Sequence, residues 1–178
     1  MNTGTIDLTT GDYSIVISGT TPSFTTNGTI NVPTGRTLTL QGGVAGGAGQ
    51  NYNFNGGTLG GAGTVQLLNS TLVLNAALAT SMARLNGSAS TVNGPQTLTV
   101  SAGTTIPMFN STINAPTTVE PGGTLQMTSS DHLGALVNGG VVEWISTCAS
   151  GGNITTQPGS VLRVLGTASF NSVLNAAT

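Results

Sequence analysis

The stretch Ser111-Thr-Ile-Asn-Ala-Pro-Thr-Thr-Val-Glu-Pro-Gly-Gly-Thr-Leu-Gln-Met127 decides the fold class of this chain. It joins a Thr/Ile segment, a Pro-Gly corner and a Leu-x-aliphatic segment, and Gly28–Leu40 and Gly152–Val164 repeat that order. Apolar residues two apart with a polar residue between them have the period of a β-strand with one buried face. Proline and glycine at the corner favour a sharp change of direction. Repeated cassettes of this kind, without helix signals, predict a stacked solenoid.

The spacing between matching strands is uneven. The aligned apolar positions lie at intervals of 27, 33, 27 and 37 residues, at Leu38, Val65, Leu98, Leu125 and Leu162. Uneven intervals argue against strict nonapeptide repeats and propeller blades, and they favour an all-β, right-handed parallel β-helix whose corners carry insertions. We expect one β-solenoid domain over 1–178 with about six or seven irregular coils. The predicted inward ladders contain Ile30, Leu38, Leu40, Val65, Leu67, Leu98, Val100, Leu125, Met127, Val142, Leu162 and Val164.

Three segments depart from the repeat. Residues 76–85 carry helix propensity and predict a short helix or a wide loop. Residues 41–49 are the most glycine-rich and predict a flexible excursion or a tightly packed corner. Residues 128–135 read as a loop. Near the corners, asparagines are expected to form turns or amide stacks, as at Asn27, Asn55, Asn93 and Asn138.

The composition supports a strand surface solvated without charge. Threonine supplies 31 of the 178 residues, charged residues make up 4 %, and lysine is absent. A net charge of −2 and three scattered arginines cannot form a stripe that tracks phosphates, so no nucleic-acid partner is expected. No apolar run has the length of a membrane span, and no signal peptide is visible. Cys148 is the single cysteine, so we expect a buried core thiol rather than a disulfide framework.

A family resemblance follows from these residues. The Pro-Gly-x-x-Leu-x-Val corner resembles the coils of right-handed parallel β-helices. The segment Asn55-Gly-Gly-Thr-Leu-Gly-Gly-Ala-Gly-Thr-Val-Gln-Leu67 resembles repeats in the passenger domains of bacterial autotransporters and filamentous haemagglutinin-like exoproteins. This resemblance implies an exported β-helix located outside the cell or on its surface.

An enzymatic function has little support in the residues. Glycoside hydrolysis needs paired carboxylates within about 5–10 Å, whereas the five acids of this chain are scattered. The best constellation is a contact site formed by Asp131, His132, Glu143 and Trp144. Asp131 and His132 are adjacent, so a strand would point them to opposite sides. Trp144 is expected in the core or over an end, with a carbohydrate platform beside Glu143 as the alternative. We predict no catalytic residues, no cofactor and no metal.

Ice binding is a further alternative. Flat solenoids with stacked Thr-x-Thr columns can order water, and Thr37-x-Thr39 and Thr97-x-Thr99 fit that motif. The equivalent positions of other coils break the column, as at Thr64-x-Gln66 and Thr124-x-Gln126.

The function favoured by the sequence is structural or adhesive. We expect a stiff extracellular rod or filament subunit that associates end to end, with itself or with neighbouring domains of a longer chain. Few charges oppose such contact, and lysines that would guard the strand edges are missing. Cell-surface glycans are a further candidate partner. A virion tail-fibre β-helix is the main alternative, and a polysaccharide lyase or hydrolase is the next.

Overall fold

The chain forms a parallel β-solenoid of about eight turns. The computed structural model describes residues 1–19, 22–42, 50–80, 84–132 and 134–175, and these contain 23 β-strands, numbered here in chain order, and no helix. Every strand pair is parallel, and the strands fall on three faces that we call A, B and C. The predicted all-β solenoid is confirmed. Residues 43–49, most of the glycine-rich segment considered above, lie outside the described residues.

Face A is an eight-stranded sheet that runs the length of the solenoid. Its strands are β2 (Tyr13–Ile17), β5 (Thr37–Gly42), β8 (Thr64–Leu68), β11 (Arg84–Ser88), β14 (Thr105–Phe109), β17 (Thr124–Thr128), β20 (Val141–Trp144) and β22 (Val161–Val164).

Faces B and C are joined near the C-terminal end, because two long strands pass from one face to the other. These strands are β21 (Cys148–Thr156) and β23 (Ala168–Asn175). Face B also contains β3 (Ser23–Thr26), β6 (Asn51–Phe54), β9 (Thr71–Leu74), β12 (Thr91–Asn93), β15 (Thr112–Ile113) and β18 (Asp131–His132). Face C also contains β1 (Thr5–Asp7), β4 (Thr29–Asn31), β7 (Thr58–Gly60), β10 (Leu78–Ala79), β13 (Leu98–Val100), β16 (Thr117–Val119) and β19 (Leu136–Asn138).

The core consists of inward ladders in which each apolar residue stacks on its counterpart in the next coil. On face A one ladder runs through Ile106, Leu125 and Val142, all fully buried, to Leu162. Alternate residues point outward and are mostly threonine, asparagine or glutamine, so one face of each strand is buried and the other is solvated. Ten of the twelve residues predicted for the ladders are buried. Leu162 is half-buried and Val164 is 44 % exposed, because β22 is the last strand of its sheet.

The coil count and spacing differ from the expectation. The register pairs Val65 with Leu85 and Val142 with Leu162, so a coil in this part takes about 20 residues. Leu98 does not belong to the series of Leu38, because it lies on face C and pairs with Leu78. The interval of 33 residues joins Val65 on face A to Leu98 on face C, and the interval of 37 residues passes over the coil that contains Val142. For these reasons six or seven coils were expected instead of about eight.

The predicted Pro-Gly corners connect face C to face A. Gly35, Gly122 and Gly159 have φ values between 73° and 85° there, and Gly103 has φ of 76° in an equivalent turn that contains no proline; glycine adopts this backbone conformation without a steric penalty. Each lies in a four-residue turn, for example one closed by the hydrogen bond from Arg36 N to Pro33 O at 3.1 Å. Left-handed glycine at the third position is the requirement of a type II turn.

Two local predictions are wrong. Within 76–85 the described residues form strands β10 and the start of β11 rather than a helix, and residues 81–83 lie outside the description. Within 128–135 the expected loop contains strand β18, which pairs with β15 and β21. In both places the parallel neighbours in adjacent coils supply the backbone hydrogen bonds, and this outweighs local propensity.

Candidate functional site

Asp131 and His132 occupy strand β18 and point in opposite directions. Asp131 is exposed on face B, where its Oδ1 accepts a hydrogen bond of 3.2 Å from Ala149 N. His132 is fully buried, between Ile113 and Ser150 in its ladder. Among the described residues neither ring nitrogen has a hydrogen-bond partner of normal geometry; burial lowers the pKa of His132 to about 4, and the nearby backbone of Gly134 offsets only part of that shift. The imidazole is therefore neutral at physiological pH and inaccessible from the surface.

Glu143 and Trp144 are likewise separated by the alternation of strand β20. Glu143 points outward on face A, where it forms an ion pair with Arg163 and accepts a hydrogen bond of 2.9 Å from Gln126 Nε2. Trp144 is fully buried, and its ring meets Phe170 edge-on at a centroid distance of 5.3 Å. The indole Nε1 has no hydrogen-bond partner in the described part of the chain. The tryptophan fills the core, so it cannot form a carbohydrate platform beside Glu143.

The four residues proposed as a contact site are thus not brought together on one surface. Asp131 lies outside face B, Glu143 lies outside face A, and the two rings lie inside. Within the described parts of the chain, no three His, Cys, Asp or Glu side chains are grouped so that they could hold a metal ion. The side chains of Gln126, Glu143 and Arg163 bind one another across three successive coils, so they form a polar ladder on the surface.

The interior contains a serine ladder that the sequence analysis missed. At the corner from face A to face B, successive coils place Ser70, Ser90, Ser111 and Ser130 inside the solenoid. Each backbone N–H of the first three donates to the next hydroxyl at 3.1–3.3 Å. The residue before each serine has positive φ, at Asn69, Ala89, Asn110 and Ser129. The signal available in the sequence was a serine placed directly before a strand that begins with threonine and an aliphatic residue, as in Ser70-Thr-Leu and Ser90-Thr-Val.

Cys148 continues this ladder one coil beyond Ser130. The thiol is buried, as predicted, and its Sγ donates to Met127 O at 3.3 Å. Ser130 makes the equivalent bond to Met108 O at 3.1 Å in the preceding coil. The cysteine is therefore a member of a corner ladder, with the role of its serine neighbours.

The two Thr-x-Thr motifs lie on different faces. Thr37 and Thr39 point outward on face A, whereas Thr97 and Thr99 flank the buried Leu98 on face C. On face A the column of Thr39 continues through Gln66 and later contains Gln126 and Glu143. The double threonine column needed for a lattice of ordered water is thus limited to a single coil of that face.

The N-terminal end of the solenoid is open and apolar. Strands β1, β2 and β3 each stand at the end of their sheet path, so one edge of each pairs with no other described strand. Above this end lies an open cavity of about 380 Å³, lined mainly by Ile6, Leu8, Tyr13, Ile15, Phe24 and Leu38. Tyr13 is 47 % exposed, whereas Leu38, its counterpart in the next coil, is fully buried.

The C-terminal end is equally apolar. Strands β22 and β23 form its outer edge. The exposed apolar side chains on these strands and their connection are Val161, Val164, Leu165 and Val173. In the preceding coils the positions equivalent to Val164 and Val173 are Trp144 and Ile154, both fully buried. The same inward ladder is therefore covered within the solenoid and uncovered at this end.

Comparisons with known proteins identify no relative. No protein-family model, no curated protein and no solved structure matches the chain. Among the described residues, no helix has the length and apolar character needed to cross a membrane. The geometry of the solenoid ends is consequently the main basis for a functional proposal.

Proposed function

We propose that this chain is an extracellular structural or adhesive β-solenoid, a stiff rod segment that associates end to end with a second copy. The observation that carries the proposal is the pair of uncovered apolar ends. Each end has unpaired strand edges and interrupted core ladders, and either one would gain backbone hydrogen bonds and apolar burial from another coil. We expect the partner at each end to be a second copy of this chain, because an open end requires another parallel coil of matching width.

The charge distribution supports axial contact. Outward positions along all three faces are mostly uncharged, and the net charge of the chain is −2. Repulsion between copies is therefore small, and few charged side chains protect the open edges.

Analytical sedimentation and electron microscopy at micromolar concentration test this proposal. The unmodified protein is expected to form axial dimers or longer filaments. Ile15→Lys and Val164→Lys each place a charge at one end, and each is expected to shift the population to monomers, because an unpaired charge in an apolar contact must be desolvated. The paired change should also abolish any residual assembly.

Phe109→Lys is the matched control. Phe109 is 57 % exposed on face A, near the middle of the solenoid. Its replacement by lysine therefore removes exposed apolar surface and adds a charge, as the end variants do, but at a distance from both ends. Assembly that survives this change but not the end variants supports axial contact. A strictly monomeric unmodified protein, or assembly abolished only by Phe109→Lys, contradicts the proposal. Filaments that persist in both end variants would also contradict it.

We also propose that the chain does not act as a polysaccharide lyase or hydrolase. The support is the separation of Asp131 from Glu143 on different faces and the pairing of Glu143 with Arg163. Incubation with acidic and neutral polysaccharides is expected to release neither reducing ends nor unsaturated products. Activity that appears and is then lost in Asp131→Asn or Glu143→Gln would overturn this expectation.

A further inference from the structure

Five Asn-Gly pairs in the chain place a reactive amide next to a residue without a side chain. They are Asn27-Gly28, Asn55-Gly56, Asn86-Gly87, Asn93-Gly94 and Asn138-Gly139. In such a pair the glycine nitrogen can attack the asparagine side-chain carbonyl, provided that the backbone can turn and the glycine N–H is free. The five pairs differ in how strongly hydrogen bonds and packing restrain the glycine, and one pair is the least restrained.

Two of the pairs are held by strand hydrogen bonds. Asn86 and Gly87 lie within β11, which pairs with β8 on one side and with β14 on the other. Asn138 is fully buried, its Nδ2 donates to Val161 O, and Gly139 N donates to Val119 O at 2.7 Å. The nucleophilic nitrogen is engaged, and the amide cannot rotate towards it without breaking the sheet.

Two further pairs are held by close packing against the neighbouring coil. A Cβ added to Gly28 would lie 2.1 Å from Gly4 O, and one added to Gly94 would lie 2.3 Å from Leu74 O. The glycine backbone is therefore pressed against the next coil at both positions. Asn93 is also held in β12, where it pairs with Val73 of β9.

Asn55-Gly56 has none of these restraints on the glycine. Gly56 has φ of 146° and no atom within 4 Å of the position where a Cβ would lie. Its N–H donates no hydrogen bond to the described residues, and the Asn55 side chain is exposed. Asn75 Nδ2 donates to Asn55 Oδ1 at 2.8 Å, and Asn114 Nδ2 makes the equivalent bond to Asn93 Oδ1 at 2.6 Å, so the distinction between the two pairs lies in the glycine and not in this contact.

We propose that Asn55 is a site of spontaneous deamidation in the folded protein. The Gly56 nitrogen forms a bond to Asn55 Cγ, the Cγ–Nδ2 bond breaks, and ammonia leaves with the proton from the Gly56 nitrogen. Water then adds to one carbonyl of the resulting succinimide, and the ring opens to aspartate or isoaspartate. The product adds one negative charge to the corner between faces B and C.

The solenoid can accept the aspartate product without loss of its corner ladder. Asn75 Nδ2 donates to Oδ1 of residue 55 whether that residue is an amide or a carboxylate. The same rung already exists on face C, where Asn31 Nδ2 donates to Asp7 Oδ1 at 2.8 Å. Conversion of Asn55 to aspartate therefore keeps the rung in place and adds a negative charge to the folded protein.

Peptide mapping by mass spectrometry after incubation at mildly alkaline pH tests the proposal. Asn55 is expected to convert first, and Asn86 and Asn138 are expected to react more than about tenfold more slowly, because their reaction requires local opening. Asn27 and Asn93 serve as controls within the same sample. In urea, the preference for Asn55 should disappear, and Asn55→Gln should remove the early acidic species seen by ion exchange.

Other results would overturn the assignment. Asn27 or Asn93 reacting as fast as Asn55 in the folded protein would show that packing does not select the site. A preference for Asn55 that persists unchanged in urea would show that local sequence, rather than the fold, is responsible. Asn55→Asp is expected to melt like the unmodified protein, and a large loss of stability would contradict the argument that the ladder accepts the carboxylate.

Discussion

Leu125→Asp is expected to unfold the protein or to leave it close to unfolding. Leu125 is fully buried and stacks between Ile106 and Val142 in the face A ladder. A carboxylate at this position has no partner and must be either desolvated or protonated, and it also removes the packing of a leucine. We expect a loss of more than about 4 kcal/mol in the free energy of unfolding, measured by urea denaturation at pH 7.

The neighbouring Thr124→Asp is the matched control. Thr124 points outward on the same strand, between Thr105 and Val141, so the same charge is placed in solvent. Its cost is expected to be within about 0.5 kcal/mol, as is usual for surface substitutions. If the two variants denature at the same urea concentration, the assignment of Leu125 to an inward ladder is wrong.

Acidification is expected to destabilise the protein through His132. Burial lowers the pKa of His132 to about 4 in the folded state, from an ordinary value of 6.5. Between these two values the unfolded chain binds the proton and the folded chain does not, so stability is complete above pH 6.5 and falls as the pH decreases towards 4. The expected contribution is about 3 kcal/mol, seen as a falling urea midpoint over this range.

His132→Leu separates this effect from the titration of other groups. Leucine removes the two buried ring nitrogens that lack partners and suits a ladder in which Ile113 is the neighbour. The variant is expected to be at least as stable as the unmodified protein at pH 7 and to lose about 3 kcal/mol less between pH 7 and pH 4. Parallel pH profiles for the two proteins would show that His132 is not the acid-sensitive group.

The buried face of each strand and the glycines of the turns could be predicted from local sequence. Alternation at Leu38-Thr-Leu40 and Leu125-Gln-Met127 identifies a buried face, and the glycines of the Pro-Gly corners are needed for positive φ. Both features depend on a few adjacent residues, so they can be recognised in the sequence without knowledge of the partner strand. The burial of Cys148 was predicted separately, from the tendency of a lone cysteine to lie in a core, and it is confirmed.

The register between coils could not be predicted in the same way. Leu38 and Leu98 have the same local pattern, yet one lies on face A and the other on face C, because coil length varies with the corner insertions. The sequence offered Asp131, His132, Glu143 and Trp144 as a candidate contact site, whereas the structure places Asp131 outside face B, Glu143 outside face A and both rings in the core. Only the three-dimensional stacking distinguishes positions that are similar in sequence from positions that are adjacent in space.

By itself, the sequence determined that this protein is an all-β solenoid with a polar, weakly charged exterior and apolar ladders inside. The reason is that strand alternation and turn residues act over a few bonds. The tertiary structure alone decided the number of turns, the serine ladder completed by Cys148, and the burial of His132 in the core. It also decided which apolar residues of the outermost described strands are exposed, because burial is a property of stacking between residues that are distant in the sequence.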